Sequence, residues 1–380
     1  MDLKDIRTNI DEIDDQLVKL FARRMDCARQ IAEAKRETGR PIRDRARERE
    51  IVNRLTRAAG DAYAPYVRDL YNHIFDLSRG YQSSLMDRPN DLGGQIARAL
   101  EETEGRRLPD HALVACQGVE GSYQQQACEK LFAYPDILYF DSFDGVFSAV
   151  EKGMCRYGIL PIENSTAGSV TQVYDLMEKH HFYICGAQKL RIDHRLLRKN
   201  GHSSVPIREV VSHEQALRQC SDYLSAHPEI KVTRMENTAT AAEYVANCER
   251  DDIAAIASKV CADLYGLDIV DSDISNSQSN YTRFICISRK LEIYPGAGKI
   301  SLMLNLAHEP GSLNAVVSRL AIAGVNLLKL ESRPMPGREF EFRFFFDMAA
   351  SVEDPDVVRL LEELEGRCDR FTFLGCYDER

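Results

Sequence analysis

The chain has no tryptophan, no long apolar run and no Cys-x-x-Cys pair among its 11 cysteines. A bilayer-spanning helix needs about 18 consecutive apolar residues, so no membrane segment is expected. An odd count of 11 scattered cysteines predicts reduced core residues, with neither a zinc site nor a disulfide framework. The opening residues Met1-Asp2-Leu3-Lys4-Asp5 lack the basic and apolar stretches of a secretion signal, so a cytoplasmic protein is expected. Positive surplus is missing too: the formal net charge is −10, which argues against non-specific nucleic-acid binding and leaves any anionic ligand to local clusters. Neither a P-loop nor a GxGxxG fingerprint is present. The absence of tryptophan excludes nothing about function.

What is present is an ordinary globular composition, 44% hydrophobic and 28% charged over 380 residues, enough for two or three domains. The organising stretch is residues 3 to 35. Leu3, Ile10, Leu17 and Ile31 fall on one seven-residue row, with Ile6, Ile13, Leu20, Cys27 and Ala34 beside it, which predicts a long helix with an apolar seam. The remaining position of the first row is Arg24. A guanidinium on a core-facing stripe needs a counter-charge or a polar cavity, because burying it alone is expensive. A solvated coiled-coil edge would also accommodate it by snorkelling. Lys35 lies about three turns further on, at ~3.6 residues per turn, and projects from nearly the same face. Arg7 sits about 100° around the axis and would join them only from a second copy. A dimer is therefore expected.

Gly39-Arg40-Pro41 breaks the helix, and Asp44 is placed to cap a second one running to about Ala59. Arg47 and Glu48 belong to its inward edge, four residues before Ile51 and Val52, while Arg45, Arg49, Glu50 and Arg54 face water. A third helix carries Val67, Tyr71, Ile74, Ser78, Gln82 and Leu85 on one stripe, which Ser78 and Gln82 interrupt. Arg24, Lys35, Arg47, Glu48, Ser78 and Gln82 together form a cationic, hydrogen-bonding cavity suited to a small dianion. No nucleophile stands among them, so the fitting chemistry is a unimolecular rearrangement driven by holding one conformer and stabilising developing charge.

Over residues 1 to about 86 this pattern resembles the all-helical chorismate mutase family. The resemblance implies an intertwined dimer that converts chorismate to prephenate. By it, Arg7, Arg24 and Arg47 bind carboxylates, Lys35 and Gln82 stabilise charge on the breaking ether oxygen, and Asp44, Glu48 and Ser78 complete the set, with Lys35, Gln82 and Glu48 the catalytic members.

Residues 87 to 110, with Asp87-Arg88-Pro89-Asn90-Asp91 and Gly93-Gly94, read as a linker holding one short helix from Gln95 to Glu104. From His111 strand signals alternate with helical stretches: 112–116, 137–140, 157–160, 183–187, 210–211, 253–257 and 285–287, an α/β pattern of parallel character. Gly118-Val119-Glu120-Gly121-Ser122 and Pro161 to Val170 read as polar loops entering helices, as cleft loops do. In Asn280-Tyr281-Thr282-Arg283-Phe284, a buried hydroxyl beside a cation suits proton donation to a departing hydroxide.

This set resembles prephenate dehydratase over residues 111 to about 289, in Glu163-Asn164-Ser165, Ile192-Asp193-His194, Leu264-Tyr265-Gly266-Leu267 and above all Thr282-Arg283-Phe284. Val119 and Gln124 depart from the family's first glycine turn. The resemblance implies a two-lobed, periplasmic-binding-protein-like α/β domain, with Thr282 catalytic and Ser122, Asn164, Ser165 and Arg283 binding substrate. Residues 299 to 380 read strand, helix, strand, strand, helix, strand and resemble the ferredoxin-like ACT domain of prephenate dehydratases. There Gly311, Ser312 and Leu313, with Glu331, Ser332, Arg333 and Pro334, would bind phenylalanine as an allosteric effector.

The expectation is a bifunctional mutase/dehydratase with a sensing tail, using no cofactor and no metal. It would take chorismate and prephenate, contact no nucleic acid or membrane, and assemble as a homodimer or higher even oligomer. A mutase fused to a dehydrogenase would need a glycine fingerprint after the first strand. A non-catalytic amino-acid sensor would not need the mutase positions or Thr282.

Overall fold

Apolar periodicity at the N-terminus produces three helices, α1 (Leu3–Thr38), α2 (Arg45–Ala59) and α3 (Ala64–Ser84). The structure is a computed structural model and describes residues 2–40, 42–85, 91–202, 204–335, 337 and 341–380. Asp2 and Asp5 close a capping box at the start of α1, and Gly39, at φ 65°, ends it in the left-handed conformation open to glycine. Pro41 of the expected break lies outside the described residues. Asp44 caps α2, its carboxylate accepting from the Arg47 amide at 3.0 Å.

By Cα proximity the chain divides into two units: Met1–Gln95 with Met303–Phe345 and Val352–Thr372, and Ile96–Leu302 with Phe346–Ser351 and Phe373–Arg380. In the first, α3 packs on α1 and α2 and also touches α13 (Pro355–Glu365). Helix α1 buries only Ala28 and Ala32. Its predicted seam stays uncovered in a single chain, with Leu3 60% and Leu17 53% exposed.

Helix α4 (Leu92–Thr103) starts three residues earlier than the sequence predicts. Ile96 and Ala99 are buried, and the Thr103 hydroxyl donates to the Ile293 carbonyl, so from Leu92 onward the expected linker is ordered structure. Asp87 to Asn90 lie outside the described residues.

Two five- to six-stranded sheets follow. β1 (His111–Gln117), α5 (Tyr123–Leu131), β2 (Tyr134–Phe140), α6 (Phe143–Glu151), β3 (Tyr157–Asn164), β4 (Gly168–Ser169), α7 (Thr171–Met177) and β5 (Tyr183–Arg191) begin the first. The chain then builds the second from β6 (Arg195–Lys199), β7 (Glu209–His213), α8 (Glu214–Gln219), α9 (Ser221–Ala226), β8 (Lys231–Met235), α10 (Thr238–Asn247), β9 (Ile253–Ala257), α11 (Lys259–Tyr265) and β10 (Leu267–Asp271). It returns as β11 (Tyr281–Ser288). Strand orders are β2-β1-β3-β11-β5, with β4 on β3, and β10-β6-β9-β7-β8.

The expected parallel character is corrected: β1 runs parallel to β2 and β3, but the returning β11 enters antiparallel to both β3 and β5. In the second sheet β7 is parallel to β8 and β9, while β6 is antiparallel to β9 and β10. A second correction concerns 161–170. Residues 161–164 complete β3, and the chain turns back as the short hairpin strand β4 before α7 begins.

The C-terminal stretch is β12 (Lys299–Asn305), α12 (Ser312–Ile322), β13 (Asn326–Pro334), β14 (Phe342–Ala349), α13 and β15 (Arg370–Tyr377), paired in the order β13-β14-β12-β15. The second of the two adjacent strands reads from the sequence as residues 340–346, and Phe340 is outside the described residues. Gly375 has φ 146°, and a Cβ there would collide with the Ile184 carbonyl, so this position requires glycine. No helix among the described residues is long and apolar enough to cross a membrane.

Candidate active sites

The stripe positions of α1 and α3 meet in the helical module. Arg24 donates to the Ser78 hydroxyl and its guanidinium lies over the Phe75 ring, 5.5 Å from the centroid. Burial lowers the Arg24 pKa, offset in part by the electron-rich Tyr71 and Cys27 and by the Glu48 carboxylate. Ser78 and Gln82 are buried, and Gln82 Oε1 has no hydrogen-bond partner among the described residues. An unsatisfied buried amide oxygen one helical turn from the Ser78 that binds Arg24 is suited to a polar guest. Lys35 is half-buried and its ammonium donates to the Ile42 carbonyl, which among the described residues leaves two of its three protons for a ligand.

Other expected members lie elsewhere in the single chain. Arg47 turns out to solvent, its side chain 60% exposed, and pairs with Glu50 at 2.8 Å. Asp44 spends its carboxylate on the α2 cap. Arg7 is exposed on α1. Glu48 is half-buried and accepts from Arg79 Nη1 at 2.5 Å.

The second cluster sits where β3 and β11 pair, with Thr282 opposite Asn164. Asn164 Nδ2 donates to Thr282 Oγ1 at 2.9 Å and to Asn280 Oδ1 at 2.8 Å. Its Oδ1 accepts from the Thr166 hydroxyl at 2.7 Å and from the Thr166 and Ala167 amides at 3.1 and 2.8 Å. These partners fix the amide orientation. Because Thr282 oxygen accepts from Asn164, its own proton remains to be donated elsewhere.

The chain of donors extends back. Gln219 Nε2 donates to Thr166 Oγ1 at 3.1 Å, so Gln219 Oε1 is left to accept from the buried His194 ring Nε2, 2.9 Å away. His194 Nδ1 lies 3.3 Å from the Tyr123 hydroxyl. Burial keeps the His194 pKa below its ordinary value, so the ring is neutral near pH 7. Every bond from His194 through Gln219, Thr166 and Asn164 points toward Thr282, and such aligned chains polarise one another. Gln219 ends α8 on the second sheet's side, so the chain spans the cleft between the sheets. A cavity of about 620 Å³ opens beside it, lined by Thr166, His213, Gln219, Asn276 and Asn280. A larger one of about 900 Å³ lies at the far end of β11, around Arg106, Arg156 and Arg289, and holds none of the candidate residues.

Three expected substrate contacts have other partners. Strand residues alternate faces, and Arg283 points away from Thr282. It is 6% exposed and meets Asp347 at 2.6 Å, Glu163 at 3.2 Å and Glu379 at 3.6 Å. Burial would lower its pKa, but Asp347 and the Tyr377 hydroxyl's potential charge outweigh that and hold it raised. Ser165 binds the Ser279 carbonyl and accepts from the Tyr281 amide, tying the turn to β11. Ser122 caps α5, accepting from the Gln125 amide at 3.3 Å. Gln124, a departure from the family turn, is buried and accepts from the Gln117 amide at 2.6 Å, which fixes the turn against β1. Sequence reasoning does not single out Asn280, Thr166 or Gln219. Isolated amides and hydroxyls carry no spacing signal, and only β11's return beside β3 gathers them.

Residues 114–292 match the prephenate dehydratase family model, and residues 6–83 match that of chorismate mutase type II. The bifunctional chorismate mutase/prephenate dehydratase of Escherichia coli (strain K12) is 31% identical over 385 residues, covering 98% of this chain and 95% of that protein. Among solved structures, prephenate dehydratase from Arthrobacter aurescens in complex with L-Phe aligns at TM-score 0.64 and 26% identity, over 70% of this chain and 90% of that one. GqqA, described as a novel type of quorum quenching acylase, aligns at TM-score 0.63 and 29% identity, over 70% of this chain and 98% of that one.

Proposed function

The chain belongs to the bifunctional chorismate mutase/prephenate dehydratase family, and from that membership we propose how its residues divide the work. It is an enzyme of phenylalanine biosynthesis with both activities, mutase and dehydratase. The observation that carries this reading is the two family matches, end to end on one chain, over the segments holding the two clusters. Residues 1–86 are read as the mutase domain, 87–110 as the connection, 111–289 as the dehydratase domain and 299–380 as an ACT domain, in a cytoplasmic enzyme.

In the mutase step one C–O bond breaks as one C–C bond forms, within a single molecule. Arg24, with Arg7 of a second copy, grips the carboxylates; Lys35 and Gln82 meet the ether oxygen as its charge grows. Uncovered Leu3, Ile10, Leu17 and Ile31 on α1 favour that second copy, since exposed apolar rows of this length belong in an interface.

In the dehydratase step the ring C–O bond breaks, carbon dioxide leaves, and the electron pair it releases completes the aromatic ring of phenylpyruvate. The departing hydroxide needs a proton, and Thr282 is placed to give its own, regained from solvent. His194, Gln219, Thr166 and Asn164 orient that hydroxyl, while Arg283 holds β11 in place.

The strand order β13-β14-β12-β15 fits a ferredoxin-like ACT module. Gly311, at φ 90°, leads into α12, and Glu331 to Pro334 close β13. We assign phenylalanine to Gly311, Ser312, Leu313 and the Glu331-Ser332-Arg333-Pro334 segment as a feedback inhibitor.

Mixing two inactive variants tests the shared mutase site. Arg7→Ala and Lys35→Ala should each lack mutase activity. Refolded together, they should regain about a quarter of wild-type turnover, because half the dimers are mixed and each mixed dimer has one intact site. No recovery in well-mixed dimers would show that Arg7 does not act across the interface.

A further inference from the structure

The Glu48 carboxylate stands at a junction of arginines that neither reaction explains. From α3, Arg79 Nη1 donates to Glu48 Oε1 at 2.5 Å, and its other amine holds Asp76 one turn back. From the turn before α2, Arg43 brings Nε to 4.0 Å from Glu48 Oε2 while its Nη1 pairs with Glu309 Oε2 at 2.5 Å. Arg45 takes the other Glu309 oxygen. Glu309 lies two residues before Gly311, at the turn that opens α12.

Both carboxylates are mostly sheltered, Glu48 21% and Glu309 22% exposed, so their pairings are screened less than surface ion pairs. Arg43 is thus shared unequally: its fork is committed to Glu309 and only leans toward Glu48. Were Glu309 to withdraw, the same guanidinium would be free to swing fully onto Glu48. Glu48 in turn acts electrostatically on Arg24, which bonds Ser78 in the mutase cavity.

We propose that Arg79 and Arg43 are positioning residues for the mutase reaction, fixing the Glu48 carboxylate, and that Arg43 is shared with Glu309 so that an amino acid bound at the 311–313 turn alters mutase turnover. The proposal rests on the reading of Glu48 as a member of the mutase site and of that turn as an effector site. The route is direct, because Glu309 is the residue that both leads into the effector turn and holds the arginine beside Glu48.

Steady-state kinetics of the full-length enzyme test each half. Arg79→Met should lower mutase kcat by about tenfold or more with KM within about twofold and dehydratase turnover unchanged, and Arg79→Lys should recover most of the loss. A brace that merely supports the helices would lower the melting temperature and leave kcat alone, which overturns the positioning role.

With phenylalanine as the probe, Glu309→Gln should leave dehydratase inhibition as in wild type while saturating phenylalanine inhibits the mutase to no more than about a tenth of the wild-type extent. The half-exposed Arg43→Gln should behave alike toward phenylalanine and also lower mutase kcat with KM little changed, and that kcat decides the positioning half if Arg79→Met fails to fold. Wild-type inhibition of the mutase in both Glu309→Gln and Arg43→Gln overturns the shared arginine. If phenylalanine leaves both wild-type activities untouched, the effector reading itself falls, and the regulatory half falls with it, while the Arg79 result still judges the positioning half.

Discussion

Thr282→Ala is expected to lower dehydratase turnover by about a hundred- to ten-thousand-fold, the range that a positioned proton donor contributes, with chorismate consumed at the wild-type rate. The expectation follows from the direction of one hydrogen bond. Asn164 donates to Thr282 Oγ1, so the threonine proton is not committed, and the surrounding bonds fix Asn164 in that orientation. Thr282→Ser keeps the hydroxyl and should retain most of the rate. An alanine variant that still turns over prephenate near the wild-type rate, in folded protein, would remove Thr282 from the chemistry. Removing Asn164 alone should cost less, since it orients the donor without supplying the proton.

The second large effect is Lys35→Ala. Loss of a charge-stabilising donor at a developing oxyanion typically costs about a hundred- to a thousand-fold in kcat. Mutase turnover should fall by that factor while dehydratase activity on supplied prephenate is spared. The ammonium now rests on the Ile42 carbonyl, a neutral partner that a substrate ether oxygen gaining charge would outcompete. Gln82 is buried, and its Nε2–H would supply the second donor to that ether oxygen. If both activities collapsed together in folded protein, two separate sites would be the wrong picture.

The sequence makes the helical cluster legible because a helix repeats. An arginine on an apolar seven-residue row stands out, Arg24 meets Ser78, and Gln82 is buried one turn further along α3, as the stripes require. Arg47, like Arg7, is exposed in the single chain. The stripe of α2 puts it on the inward edge, and its long side chain reaches solvent and Glu50.

Strands are harder to read. β8 is Lys231–Met235 and β10 is Leu267–Asp271, both edge strands whose charged residues mask the alternation. β6 shows only Leu196 and Leu197 between arginines and lysine. The mixed sheet direction was likewise hidden, because pairing direction is set by where the chain re-enters and not by local composition. The Thr282 segment was visible as a polar stretch before a strand. Gln219 and His194, distant in sequence, join it only through the crossing between the two sheets.

The most direct measurement is a time course of purified enzyme with chorismate and no added nucleotide, following chorismate and phenylpyruvate together. Chorismate should disappear, prephenate should rise and pass, and phenylpyruvate should accumulate. Prephenate that persists until a nicotinamide nucleotide is supplied, or chorismate that is never consumed, would contradict the account.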